Sequence, residues 1–303
     1  MGGRVVCGAE GRVLVVPQEG ALRVRTELGL LDVAPGQALV LPKGIKFAVA
    51  LTDGRARGYV LESYAGAFRL PERGPIGANG LADGRHFEAP VASFEHALRP
   101  TELIAKTAGS LHRATMDHSP FDVVAWWGNW APYRYDLLRY NAMGTATWDH
   151  PDPSLQTVLT VPFDDDGNNL ADFVAFRGRW DVAEHSFRPP YFHRNAASEF
   201  NGIVSMPGGK GSKGFVPGCA FFTPNLTGHG VASSAVAHQY AMSDEEADRP
   251  LRGSDESLWV MFESILTLRV MPWMLGAEHE DRDFRSLFTA TPVPYAGPDE
   301  GSS

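Results

Sequence analysis

Ten histidines are spread over 303 residues, and the densest grouping of possible metal ligands is the run PPYFHRNAASEF, residues 189–200. His193 and Glu199 stand six residues apart, an even spacing. On one extended strand they would share a face but lie about 20 Å apart, too far for a single ion. A turn through Asn195 and Ser198 would close that distance. Thirty residues beyond Glu199, His229 is flanked by Gly228 and Gly230, which permit close backbone approach. Two imidazoles and a carboxylate make the facial triad that holds non-haem Fe(II) and leaves positions open for substrate and oxygen. Histidines that merely hydrogen-bond in loops satisfy the same spacing, and ten of them supply many chance triples. Spacing alone favours that plainer reading.

The elements that must position these residues read as β-structure. RVLVVPQ, ALRVRTEL, ALVLP and KFAVAL in the first 51 residues are short β-rich runs separated by QEG, APGQ and PKG turns. They predict a strand meander. DVVAWWG, LLRYNAMGTATW, LQTVLTV and DFVAFR continue the pattern. SLWVMFESILTLRVM fits neither helical nor strand periodicity cleanly, so helix and strand pair both stay open. The acidic stretch 243–257 reads as an exposed loop or short helix. With few amphipathic helices and no strand–helix alternation, the expected class is all-β, with sheets packed as a sandwich or jelly roll.

Composition narrows the function classes. Hydrophobic residues at 44% and charged residues at 21% describe an ordinary globular chain long enough to bury a core. The net charge of −9, without a basic cluster, disfavours nucleic-acid binding. No apolar run reaches the roughly 20 residues a membrane helix needs. The N-terminus lacks the apolar core of a signal peptide, so a cytoplasmic setting is expected. Cys7 and Cys219 cannot build a disulfide framework or a four-cysteine zinc site and are expected as reduced thiols. GGKGSKG, residues 208–214, fails the phosphate-loop spacing.

Longer motifs add to this. FRPPYFHRNAASEFNG (187–202) closely resembles the iron-binding segment of homogentisate 1,2-dioxygenases. The likeness extends through GPIGANGLAD (74–83), SPFDVVAWWGNWAPYRYDL (119–137), WDHPDPSLQTVLT (148–160), GFVPG (214–218), GHG (228–230) and WVMFES (259–264). This resemblance implies a cupin-like jelly roll with an additional β-rich N-terminal portion. It implies Fe(II) held by His193, Glu199 and His229, with His150 as the base at the substrate hydroxyl. It further implies a small aromatic substrate and O2, ring opening as in tyrosine and phenylalanine catabolism, and a homo-oligomer, trimer or hexamer. The expected organisation is a partial N-terminal β-rich portion at 1–115, a cupin-like iron-binding portion at 116–290 and an irregular tail at 291–303. Val13 falls near the middle of the family's N-terminal β portion, so a sheet with an exposed edge is expected.

The sequence departs from the family where substrate contacts are expected. Thr223 stands where members carry a histidine, and Gly208 where they carry a tyrosine. Ala48 occupies a serine position, and Trp127 a histidine position. These substrate-side positions, together with His229, are the candidate specificity determinants. A lost hydrogen bond to a charged group is worth about 1.5–3 kcal/mol, enough to redirect specificity. Two alternatives therefore stand beside homogentisate cleavage: a dioxygenase for another dihydroxylated aromatic in a specialised pathway, and a non-catalytic cupin-like binding protein.

Overall fold

The computed structural model describes residues 3–72, 82–124, 128, 130–140, 156–165, 167–178, 180–181, 192–207 and 215–290. In chain order the strands are β1 (Gly3–Gly8), β2 (Arg12–Glu19), β3 (Leu22–Thr26), β4 (Gly29–Val33), β5 (Gln37–Leu41), β6 (Lys46–Leu51) and β7 (Arg57–Ser63). There follow β8 (Phe87–Glu88), β9 (Thr101–Thr107), β10 (Ser110–Met116), β11 (Tyr133–Asp136), β12 (Thr157–Pro162) and β13 (Asn169–Arg177). The last are β14 (Trp180–Asp181), β15 (Ser198–Ser205), β16 (Ala220–Thr223), β17 (Leu251–Arg252) and β18 (Leu258–Ser264). Among the described residues only two α-helices occur, α1 (Ser233–Ala241) and α2 (Asp244–Ala247). This is the mainly β class expected.

The runs bounded by Gly and Pro turns became strands, but not a simple meander. Their sheet orders are β10-β9-β1-β6-β3-β4 and β7-β2-β5-β11-β8, so the chain passes repeatedly between two sheets, with β3–β4, β7–β8 and β9–β10 each staying within one. The first sheet also contains a parallel pairing of β1 with β9, some hundred residues apart, which local turn chemistry does not encode. The undecided run 257–271 resolves as a single strand ending at Ser264. The Ser264 hydroxyl donates to the Leu170 carbonyl at 2.7 Å and accepts from the Leu266 amide at 3.2 Å, turning the chain out of the sheet. Residues 122–124 of DVVAWWG are not a strand, and 125–127 lie outside the described residues. Within the acidic stretch, Asp244–Ala247 forms α2; the Ser243 side chain accepts from the Glu246 amide, and three acidic residues in the first turn suit the positive end of its dipole.

A third sheet, in the order β12-β13-β18-β15-β16, carries the site. One continuous core joins it to the second: Leu14, Val16, Val40 and Tyr135 pack with Val158, Phe173, Val260 and Phe262. Tyr59 locks the two sheets together. Its hydroxyl lies 2.9 Å from the Ile203 carbonyl and 2.7 Å from that of Cys219. Burial pushes its pKa up to about 12. Gly202 is required beneath it, because a Cβ there would stand 2.6 Å from the Tyr59 ring. Both cysteines are free thiols, as expected, with burial pushing each upward. Among the described residues no helix is long and apolar enough to cross a membrane.

Candidate metal centre

Alternation along the third sheet puts a carboxylate or hydroxyl beside an apolar residue on every strand. Register aligns these across the sheet. Thr160 pairs with Asp172, Asp172 with Glu263, Glu263 with Glu199, and Glu199 with Thr223. The neighbouring positions Leu159, Phe173, Phe262, Phe200 and Phe222 make a parallel apolar row on the other face. Phe262 stacks on Phe173 at 5.5 Å and on Phe200 at 6.2 Å between ring centroids. The face bearing the polar row is closed at its other end by aromatic packing. There Phe215 stacks on Trp259 at 5.7 Å, and Phe284 lies 5.9 Å from Phe221.

Glu199, the second residue of β15, is buried at one end of the row of three carboxylates. His193 reaches it because the chain bends at Ala196–Ala197, just before β15 begins. The His193 and His229 backbones exchange two 2.8 Å hydrogen bonds, and their rings sit 4.4 Å apart. In antiparallel pairing, such a hydrogen-bonded couple projects both side chains to one side. The glycines around His229 serve this approach, since a Cβ at Gly228 would lie 2.9 Å from the Phe192 ring and one at Gly230 3.2 Å from its Cα. One ligand atom from each of His193, Glu199 and His229 then falls within 4.8 Å of the others. The turn expected through Asn195 and Ser198 falls between them, at Ala196–Ala197. Ser198 instead opens the strand, its hydroxyl donating to the Leu266 carbonyl and accepting from the Asn225 amide.

The donor chemistry fits a divalent cation. His229 Nδ1 is 2.9 Å from the Thr227 carbonyl, which only accepts, so Nδ1 carries the hydrogen. The Nε2 lone pair of the neutral ring therefore faces Glu199 Oε1 at 3.2 Å. Two lone pairs at that distance need a proton or a cation between them. Without a cation the pair shares a proton. The Glu199 hydrogen bond pulls the His229 pKa upward against burial. For Glu199, burial pushes upward, but hydrogen bonds from His229 and Asn195 with the nearby imidazoles carry it below its ordinary value. Asn195 Nδ2 donates to the same Oε1, while its carbonyl accepts from the Leu226 amide at 2.7 Å. It thus joins the two ligand-bearing loops and orients the carboxylate, as outer partners of metal ligands do.

Near this centre lies a cavity of about 760 Å³ whose lining includes Asn195 and Glu263. Thr223, one of the departures from the family pattern, sits directly across from Glu199 on the same face. Ala48 lies elsewhere, paired with Arg25 in the first sheet. His150, Gly208 and Trp127 lie outside the described residues. The sequence reading passed over Asn195 as a donor, and over Asp172 and Glu263 altogether. Their signal was an acid beside a phenylalanine on three successive partner strands: Asp172-Phe173, Phe262-Glu263 and Glu199-Phe200.

Several solved structures resemble this one weakly. A single-substitution mutant of Bacillus subtilis oxalate decarboxylase shares 14% identity over 95% of this chain and 75% of its own, with a TM-score of 0.33. Protein Ylba from E. coli shares 8% identity over 88% and 72%, with a TM-score of 0.29. The fold class rests on the strands themselves and not on these likenesses. Family profiles are decisive: the homogentisate 1,2-dioxygenase N-terminal profile matches residues 1–137, and the C-terminal profile residues 138–293. With a His–Glu–His centre in the second of these segments, and together spanning nearly the whole sequence, the two matches place this chain in the homogentisate 1,2-dioxygenase family.

Proposed function

We propose that the chain is a cytoplasmic Fe(II)-dependent dioxygenase that opens the aromatic ring of homogentisate (2,5-dihydroxyphenylacetate) or a closely related hydroquinone with O2. The reaction would serve tyrosine and phenylalanine breakdown. The observation that supports this best is the convergence of His193, Glu199 and His229 within 4.8 Å, in a chain of this family. The portion 116–290 would be catalytic and 1–115 its β-rich support, in a homo-oligomer of three or six chains.

Fe(II) held by the three side chains would supply a Lewis-acidic, redox-active centre with vacant positions for a hydroxylated ring and O2. The chain's own residues do the rest. Glu199 contributes the one negative charge, and Asn195 fixes its orientation. Thr227 fixes the His229 tautomer so that Nε2 is the donor atom. His150 accepts the proton of the substrate hydroxyl as that group is acidified. Both atoms of O2 enter the product, a linear unsaturated oxo-acid.

A second reading, cleavage of another dihydroxylated aromatic, is favoured by Thr223. A position where the family carries histidine lies opposite Glu199, so the departure falls at the centre itself. Anaerobic Fe(II) reconstitution followed by oxygen uptake with homogentisate, gentisate and unsubstituted hydroquinone separates the readings. Uptake with homogentisate and a product heavier by one O2 supports the first. Uptake only with another hydroquinone supports the second. Iron loading without uptake on any of the three removes the first and leaves an untested dihydroxylated aromatic or the non-catalytic binding protein.

A further inference from the structure

We propose that Leu226 is a positioning residue of the metal centre, acting through its left-handed backbone and not through its side chain. The proposal rests on the reading of His193, Glu199 and His229 as iron ligands, and names a further residue on which that site depends. Among the described residues other than glycine, only Ala108 at 49° and Leu226 at 61° have positive φ. Ala108 and Gly109 form the two-residue loop of the β9–β10 hairpin, where two successive left-handed residues are the usual turn. Leu226 lies in no such hairpin. The Thr227 amide donates to the Pro224 carbonyl at 3.2 Å, closing a four-residue turn in which Leu226 is third. Asn225, the second residue, does not have positive φ, so the turn follows the type II pattern, whose third position ordinarily belongs to glycine or asparagine. Leucine is disfavoured there on the order of 10-fold. Its side chain is 63% exposed, so core packing does not hold it in place.

Hydrogen bonds to the metal centre hold it instead. In a type II turn the peptide joining the second and third residues is flipped by about 180° from its direction in a type I turn, which suits leucine better. That peptide carries the Leu226 N–H, which donates to the Asn195 carbonyl at 2.7 Å. Relaxing Leu226 to negative φ would swing this N–H away from Asn195, whose side chain donates to Glu199 Oε1. The preceding amide, of Asn225, donates to the hydroxyl of Ser198, the residue before Glu199, at 3.2 Å. The following carbonyl, of Thr227, lies 2.9 Å from His229 Nδ1 and fixes the tautomer of that ligand. Asn225 Nδ2 anchors the turn from outside, on Thr267 Oγ1 at 3.1 Å. One strained residue thus stands at the midpoint of contacts that orient Glu199 and His229. Such strain persists where the surrounding bonds over-determine the backbone, and it gathers at functional sites.

The test is equilibrium dialysis of Co(II), with its absorption spectrum, on the parent chain and on Leu226→Gly, Leu226→Asn and Leu226→Val. Denaturant unfolding of each metal-free chain is measured in parallel. Glycine enters the left-handed region freely and asparagine readily, so both variants should bind Co(II) at least as tightly as the parent, with the parent's spectrum. Leu226→Val keeps an apolar side chain but is β-branched, and β-branched residues are rare outliers at positive φ. It should bind at least ~10-fold more weakly, with an altered spectrum in the folded fraction. A lower unfolding midpoint for Leu226→Val with the parent's affinity and spectrum would make the role merely structural and overturn the inference. An affinity order that follows apolar character, with valine near the parent and glycine and asparagine both weak, overturns it as well. Should Leu226→Val not fold, the other two variants decide: binding more than ~3-fold weaker than the parent in both is the contradicting result. A parent chain that holds no Co(II) removes the metal centre and this inference together, whereas a parent that binds with the wrong order among variants removes this inference alone.

Discussion

The two faces of the third sheet are made from adjacent residues and behave as different materials. Phe173, Phe262 and Phe200 stack into the core shared with the second sheet. Their immediate neighbours Asp172, Glu263 and Glu199 form a carboxylate row on the other face. The apolar row gains from every neighbour it touches. The carboxylate row places like charges in cross-strand positions, where each costs stability. A sheet retains such an arrangement when the face does chemistry. The apolar row thus fixes the geometry in which the acidic row works, and substitutions on the two faces should separate stability from metal binding.

The largest effect is expected on the apolar face. Phe262→Ala removes a buried ring stacked on two others and should cost about 3–5 kcal/mol in denaturant unfolding. Metal affinity of the folded fraction should change little. On the opposite face, Glu199→Gln removes the only charge of the triad. It should weaken Fe(II) or Co(II) binding by at least ~100-fold in equilibrium dialysis, while the unfolding midpoint without metal stays close to that of the parent. A stability loss as large as that of Phe262→Ala would erase the distinction between the faces.

Asn195→Ala sharpens the comparison at its boundary. Asn195 is a polar, half-buried residue that holds Glu199 and links the loops carrying both histidines. Metal binding should weaken about 10–100-fold, with an altered Co(II) absorption spectrum as the readout of ligand geometry. Tyr59→Phe is the smallest change, leaving the Ile203 and Cys219 carbonyls without that hydroxyl. It should lower stability by about 1–2 kcal/mol and leave metal affinity unchanged.

How much of this was legible in the sequence depended on the range of the interactions. β2, β5, β6, β12 and β13 were readable because short β-branched runs bounded by Gly and Pro encode themselves locally. Sheet membership was not, since the pairing of β1 with β9 joins residues nearly a hundred positions apart. The candidate ligands His193, Glu199 and His229 followed from motif and resemblance, and the need for a turn between the first two followed from strand geometry alone. The partners in the row did not follow. Asp172 and Glu263 meet Glu199 only through register, which no single segment specifies. Asn195 suggested a turn and proved also to be a donor, because the turn aims its side chain back at the carboxylate it precedes.

The most direct test of the central claim is Fe(II) stoichiometry under anaerobic conditions, measured on the parent chain and on His193→Ala, Glu199→Gln and His229→Ala. The account predicts one tightly held iron per parent chain, and at least ~100-fold weaker binding in each variant with the unfolding transition retained. Tight iron in all three variants, or none in the parent, would contradict it.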